Sequence, residues 1–285
     1  MRAAILEGRG LLRIGGDEAG PFLDNLLTND VSGLAPGQAA YAALLTPQGK
    51  IIADMIVSRA GDGFRLDLPK PLAADVARRL TLYRLRSKVE IADESDAFQV
   101  AALWGDGLLP AFEGAAVQDP RLPALGQRAY LPAGAPLPGG LPDSLDAWRA
   151  HRVALGVPIG GLDFVYGDTF PHEACMDQLN GVSFRKGCYV GQEIVSRMEH
   201  RGTARTRVTP VLLDGRPSIG EAVTAGEKTI GRMGSSVEGR GLALLRLDRA
   251  AEAAAAGQPL IAGSAMLTLD KPAWARFAYP GEGAA

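Results

Sequence analysis

The sequence predicts an α+β fold over its first two thirds and a small β-barrel at its end. Strand-like and helix-like segments mix without strict alternation before residue 202, which favours α+β over a doubly wound parallel sheet. Beyond residue 202 only short apolar runs broken by Gly, Pro and Ser remain, the texture of a barrel or sandwich. A composition of 47% hydrophobic and 22% charged residues over 285 positions supplies a core and excludes disordered and fibrous classes.

The elements follow in order. Residues 17–27 read as a helix with Phe22, Leu23, Leu26 and Leu27 on one face, ending at the turn residues Thr28, Asn29 and Asp30. Tyr41 to Leu45 and Ile51 to Val57 read as strands joined by a hairpin over 46–50, and Phe64 to Leu68 as the next strand. Residues 71–85 are helical, with Leu72, Val76, Leu80 and Tyr83 on one side, and 88–92 and 99–103 return to strand. Four prolines between 132 and 142 mark an exposed loop or linker. Asp143 and Ser144 are set to cap a helix that Gly156 and Pro158 stop. Residues 193–199 form another helix, with Ile194, Val195 and Met198 inward, and 250–256 a last one inside the barrel. The domain boundary is expected near residues 202–206, giving 1–205 and 206–285.

Only two cysteines, Cys175 and Cys188, and three histidines are present, too few for a disulfide framework or a self-contained metal centre. Scarce cysteine fits a reducing compartment. No secretory signal or apolar run of about 18 residues is visible, so the expectation is a soluble cytoplasmic protein without membrane contact. A net charge of −2 argues against coating of nucleic acid as a whole. Walker A, dinucleotide, nucleophile-elbow and zinc-protease motifs are all missing.

The densest polar stretch runs from 168 to 207, centred on Lys186-Gly187-Cys188-Tyr189-Val190-Gly191-Gln192-Glu193. Two glycines permit a sharp turn close to a ligand, while Arg185, Lys186 and the following helix N-terminus favour thiolate at Cys188. The same spacing is open to a plainer reading, in which Cys188 is a small buried residue in a tight turn. Cys175 reads as structural.

This string, preceded by LNGVSF and followed by RMEHRGTARTR, resembles the signature of the YgfZ family of folate-binding proteins, which act in iron–sulfur cluster assembly or repair and in modification of certain tRNAs. Further strings at 22–30, 45–51, 83–90 and 156–158 fall in the order expected for that family, which is related to the aminomethyltransferase T-protein of the glycine cleavage system. The resemblance implies two ferredoxin-like units around a central folate pocket, with a C-terminal β-barrel. It also implies a functional thiol at Cys188 and a folate-contacting carboxylate at Glu173. Where the T-protein carries a second glutamate, this chain has Ala154, which cannot accept a hydrogen bond. Asp54 matches the aspartate tied to transfer chemistry; it either orients or accepts a proton near the pteridine or is a strand-edge residue facing solvent. Asn29 is matched to folate binding and is equally suited to a simple turn. Arg197 and Arg201 belong to a run of four arginines and one glutamate from 197 to 207, which suits a folate glutamate tail or phosphates, or is merely solvated charge.

These features carry three expected functions. The first is a folate-binding accessory protein for iron–sulfur enzymes, working through Cys188 with reduced folate and with cluster enzymes or assembly factors as partners, and touching tRNA only indirectly. The second is a tetrahydrofolate-dependent aminomethyl or one-carbon transferase. The third is an RNA-binding module.

Overall fold

The computed structural model describes residues 1–202 and 204–280. By internal contacts they form two compact units, Met1–Trp148 with Leu179–Gln192, and Arg149–Gln178 with the described residues from Glu193 onward.

In chain order, the first unit holds β1 (Arg2–Ile5), β2 (Arg9–Gly15), α1 (Ala19–Asp24), β3 (Ala39–Leu45), β4 (Ile51–Ala60), β5 (Gly63–Pro69), α2 (Ala73–Arg84), β6 (Glu90–Asp93), β7 (Phe98–Trp104), β8 (Ala115–Gln118) and β9 (Gln127–Pro132). These strands build two antiparallel sheets, ordered β3-β4-β5-β2-β6 and β1-β7-β9-β8. The predicted hairpin between β3 and β4 is present, its turn closed by Thr46 N–H donating to Lys50 O at 2.8 Å. Leu23, Leu27, Leu44, Met55, Phe64, Val76 and Leu80 pack into one core under the first sheet. Each such side chain contributes about 1.5–3 kcal/mol by leaving water.

Two local outcomes differ from expectation. The helix read over 17–27 is shorter: α1 closes at Asp24, and Leu26 and Leu27 finish as a turn, both N–H groups donating to Leu23 O at 3.0 and 2.9 Å. All four apolar residues of that stretch are nonetheless buried, so the apolar spacing marked the right side chains and overran the helix. The proline-rich segment 132–142 is a mostly exposed loop, but Leu137 and Pro138 anchor it, Leu137 joining Ala3, Ala101, Leu103 and Leu131 in a second core. Helix α2 ends in a tight turn over residues 84–87, closed by Ser87 N–H donating to Arg84 O at 2.8 Å, with Leu85 at φ 49° and ψ −106°.

Helix α3 (Leu145–Ala154) begins after Ser144, whose backbone oxygen accepts from Trp148; the Asp143 carboxylate accepts instead from Ile5 N at 3.2 Å. Helix α4 spans Gln192–Arg201. In the second unit β10 (Thr206–Asp214), β11 (Ala222–Ala225), β12 (Lys228–Val237), β13 (Arg240–Arg246), α5 (Leu247–Ala255), β14 (Leu260–Ala262) and β15 (Ala265–Leu269) follow, and the strands close a barrel ordered β10-β13-β12-β11-β14-β15. Val211, Val223, Ile230, Leu245 and Leu267 fill its interior. The fold is therefore α+β with a closed six-stranded C-terminal barrel.

Candidate functional site

The segment 180–191 is fastened to the rest of the first unit at Asn180, Gly181, Ser183 and Lys186. Ser183 N–H donates to Thr28 O at 2.9 Å, and the Thr28 hydroxyl donates to Gly181 O at 2.6 Å while accepting from Ala43 N at 2.9 Å. The Asn29 amide donates to Tyr41 O and Asn180 O at 2.9 and 2.8 Å, and its oxygen accepts from Asp30 N. Asn29, a folate candidate from sequence, thus spends its polar atoms on holding this segment.

Lys186 completes the attachment. Its ammonium donates to three carbonyls, Asp24 O at the end of α1 and Leu27 O and Asn29 O in the turn that follows, at 2.7, 2.9 and 2.8 Å. Asp24 O is a last-turn carbonyl that a helix leaves without an internal partner, and a cation there also suits the helix dipole. The nitrogen also lies 5.4 Å from the centre of the buried Tyr189 ring. Burial lowers the Lys186 pKa, opposed by Asp24 and Asp30. The charge expected beside the thiol is therefore turned inward, with only 4% of the side chain exposed. Burial also raises the Tyr189 phenol to about 12.

The two glycines of the motif differ. Gly191 has φ +83°, and a Cβ there would lie 2.6 Å from Thr46 O and 3.1 Å from Gly49 Cα in the β3–β4 turn. Around Gly187 a Cβ meets nothing within 4 Å. Between the anchors at Lys186 and Gly191, Cys188 is exposed. The loop therefore presents Cys188 to solvent, in contrast to the reading of a small buried residue. Gln192 reaches back to Gly187 O at 3.4 Å, and Glu193 pairs with Arg197 at 2.6 Å on the exposed face of α4.

Cys175 is the opposite case. It is fully buried at φ +58°, its thiol donating to Val208 O at 3.3 Å, and burial raises its pKa to about 12. Such a thiol stays protonated and inert.

Asp54 lies on β4, an interior strand, 5% exposed, and accepts from the Tyr41 hydroxyl at 2.9 Å. The solvent-facing reading is thereby excluded. Burial, then the Asp54 charge, holds the Tyr41 phenol well above its ordinary value. Arg121 lies 5.7 Å from the Tyr41 ring centre and forks onto Asp119 at 3.0 and 2.8 Å, while Arg128 reaches Asp119 at 3.2 Å. Burial works to raise the Asp119 carboxyl, but Arg121 and then Arg128 outweigh it and hold the pKa at about 2. No sequence signal pointed to this network, because its members are spread from residue 41 to residue 128.

In the second unit, Glu173 accepts from Phe170 N at 2.8 Å. It lines a cleft of about 370 Å³ with Phe170, Ile194, Met198, Arg205 and Arg246. Of the arginine run, Arg207 is buried, forked onto Asp177 at 2.8 and 3.0 Å, and Arg197 is paired with Glu193; Thr203 lies outside the described residues. Arg201 is exposed on the last turn of α4. Ligand atoms of His172, Asp177 and Glu199 fall within 4.8 Å of one another. Asp177 is engaged by Arg207 at 2.8 Å and by Gln178 at 2.7 Å, and His172 and Glu199 face each other at 3.0 Å. Arg152, on α3, is fully buried; it donates to Asp163 at 2.9 Å, Val157 O at 2.6 Å and Ser235 at 2.7 Å.

Two family models match the chain: the GCVT N-terminal domain over residues 7–107 and the CAF17 C-terminal beta-barrel domain over residues 205–277. A human protein described as the mitochondrial iron–sulfur cluster assembly factor IBA57 is 35% identical over 270 residues, covering 84% of this chain and 76% of that one. The Neurospora crassa IBA57 homolog is 31% identical, covering 75% of this chain and 54% of its own length. The aminomethyltransferase T of the glycine cleavage system from Bartonella henselae superposes with a TM-score of 0.73 at 17% identity, covering 97% of this chain and 87% of that one, a likeness of fold. Among the described residues no helix is long and apolar enough to cross a membrane.

Proposed function

Because the chain belongs to the IBA57 family of iron–sulfur cluster assembly factors, we propose that it is an accessory protein in the assembly or repair of iron–sulfur enzymes, acting through Cys188. One observation carries the reading: the single exposed cysteine stands on a loop held at Lys186, Tyr189 and Gly191. A thiolate there is a soft ligand for cluster iron. With Cys175 buried, one thiol per chain cannot enclose a cluster, so the cargo is shared with ligands of a donor or an acceptor. Complementation tests this directly. Cys188→Ala is expected to fail to restore iron–sulfur enzyme activity in a deletion strain, and full restoration would refute the role.

We further place a reduced folate at the cleft beside Glu173. Its residues fit such a ligand: a carboxylate for the N–H edge of the pterin, Phe170, Ile194 and Met198 as apolar walls, and Arg205 and Arg246 toward an anionic tail. The chemistry a reduced folate would supply is one-carbon transfer, and no step here depends on it. Calorimetric titration of reduced folates should show binding that Glu173→Ala weakens. The transferase alternative draws little from Asp54, which is occupied by Tyr41. The RNA alternative draws little from 197–207, where Arg207 is buried on Asp177 and Arg197 is paired with Glu193 on the surface. Any effect on tRNA modification runs through an iron–sulfur client. Its two reduced cysteines suit a reducing compartment, and the cytoplasm is our proposal, whereas the named relatives are mitochondrial.

A further inference from the structure

The turn after α2 has an unusual occupant. Leu85, at φ 49° and ψ −106°, sits in the position of a type II′ turn where glycine is the rule, and it is 87% exposed. A leucine there strains the backbone and returns little burial within the fold, and strained residues cluster at functional sites. Leu82 and Tyr83, on the last turn of α2, are exposed as well, at 66% and 41%. From residue 78 to 88 the sequence holds five cations and no acid, in a chain of net charge −2. Arg78 and Arg79 are paired with Asp75, and Arg84 reaches Val89 O at 3.4 Å. Arg86 lines an open cleft of about 690 Å³ with Glu18, Leu85 and Ser87, and the Glu18 carboxylate fixes the far side of the loop by accepting from Lys88 N at 2.7 Å.

We propose that Leu82, Tyr83 and Leu85, with Arg86 and Lys88 around them, form a docking surface for a partner protein that offers an apolar socket flanked by carboxylates. Exposed apolar side chains rimmed by charge are the anatomy of a protein interface, and Tyr and Arg are its frequent anchors. The cation excess selects an acidic partner and speeds its approach. Three aliphatic or aromatic side chains find no apolar surface on a phosphate backbone. A flat anionic membrane would leave the cleft of about 690 Å³ unfilled. The inference uses nothing of Cys188 and stands apart from the role given to that thiol.

The test is photocrosslinking of the full chain in its own cells with a benzophenone side chain at position 82, followed by binding of the purified, identified partner. The expected adduct is with one protein, through a surface segment carrying Asp or Glu around apolar residues. Leu85→Asp and Arg86→Glu should each weaken its binding about tenfold, increasingly so at low salt. Leu85→Gly separates docking from architecture. It should lose binding comparably, yet unfold at the same temperature as the unaltered chain or higher, because glycine suits the turn. The adduct should persist in Cys188→Ala. Adducts with RNA or lipid alone, no adduct, binding indifferent to Leu85→Asp and Arg86→Glu, or a lowered unfolding temperature for Leu85→Gly would overturn the proposal.

Discussion

The ammonium of Lys186 lies 2.9 Å from the carbonyl oxygen of Leu27, a residue 159 positions earlier in the chain. With Asp24 O and Asn29 O it closes an otherwise open helix end from outside the helix. Hydrogen bonds to charged groups are worth about 1.5–3 kcal/mol each, less where acceptors regain water. Lys186→Met should therefore destabilise the chain by roughly 2–4 kcal/mol, read from denaturant midpoints. It should also speed proteolysis within 183–191.

The glycines of the motif should separate in the same assay. Gly191→Ala meets Thr46 O at 2.6 Å in a left-handed backbone conformation. A loss of about 2–4 kcal/mol is expected from the combined backbone and overpacking terms. Gly187→Ala enters open space and should leave stability and complementation close to the unaltered chain.

The two thiols should differ in reactivity by far more than their shared chemistry implies. Iodoacetamide under native conditions is expected to label Cys188 and spare Cys175 until the chain unfolds, as peptide mass spectrometry would show.

Stability should fall at both ends of the pH scale for identifiable reasons. Burial raises Cys175 and Tyr189 to about 12, so the unfolded chain loses those protons first. Their contribution is complete below the unfolded values and declines from about pH 9 toward 12. Asp119 works the other way: held at about 2, it stabilises fully above its ordinary value and loses that contribution as pH falls through 2. Asp119→Asn should flatten the acid limb of the unfolding-midpoint curve, and Cys175→Ala part of the alkaline limb.

Arg152 and Asp163, both buried and 2.9 Å apart, join helix α3 to the segment after it and, through Ser235, to β12. Removing one partner strands the other charge. Arg152→Met should cost about 3–5 kcal/mol, and Arg152→Met with Asp163→Leu no more than the single change. A thermodynamic double-mutant cycle would read the coupling.

The sequence made some of this visible and hid the rest for physical reasons. Strands β3 and β4 are legible because apolar runs flank a turn of polar and glycine residues, and the barrel strands because apolar runs alternate with segments rich in Gly, Pro and Ser. Strands β1, β2, β8 and β9 escaped notice, since their apolar residues are interrupted by arginine and glycine or are too few to set a period. Gly63 in β5 shows why glycine inside a strand misleads: a Cβ there would lie 2.3 Å from Ile14 O, so it marks close packing rather than a break. The cysteine motif was conspicuous, but adjacency along the chain misled about Lys186, whose charge is drawn to carbonyls that only the fold brings near. Leu85 lies in a string the family resemblance marked, 83–90, but nothing in that string told of its exposure or its left-handed backbone angle.

The interleaving of the two units sets an order on synthesis. The first unit is finished by residues 179–192, after the chain has departed to build 149–178. A ribosome emitting this chain from its N-terminus therefore holds two near-complete sheets without their final clasp until about two thirds of the protein has emerged. Until then no ordered loop carries Cys188, and an unfinished chain has no seated thiol to offer to iron.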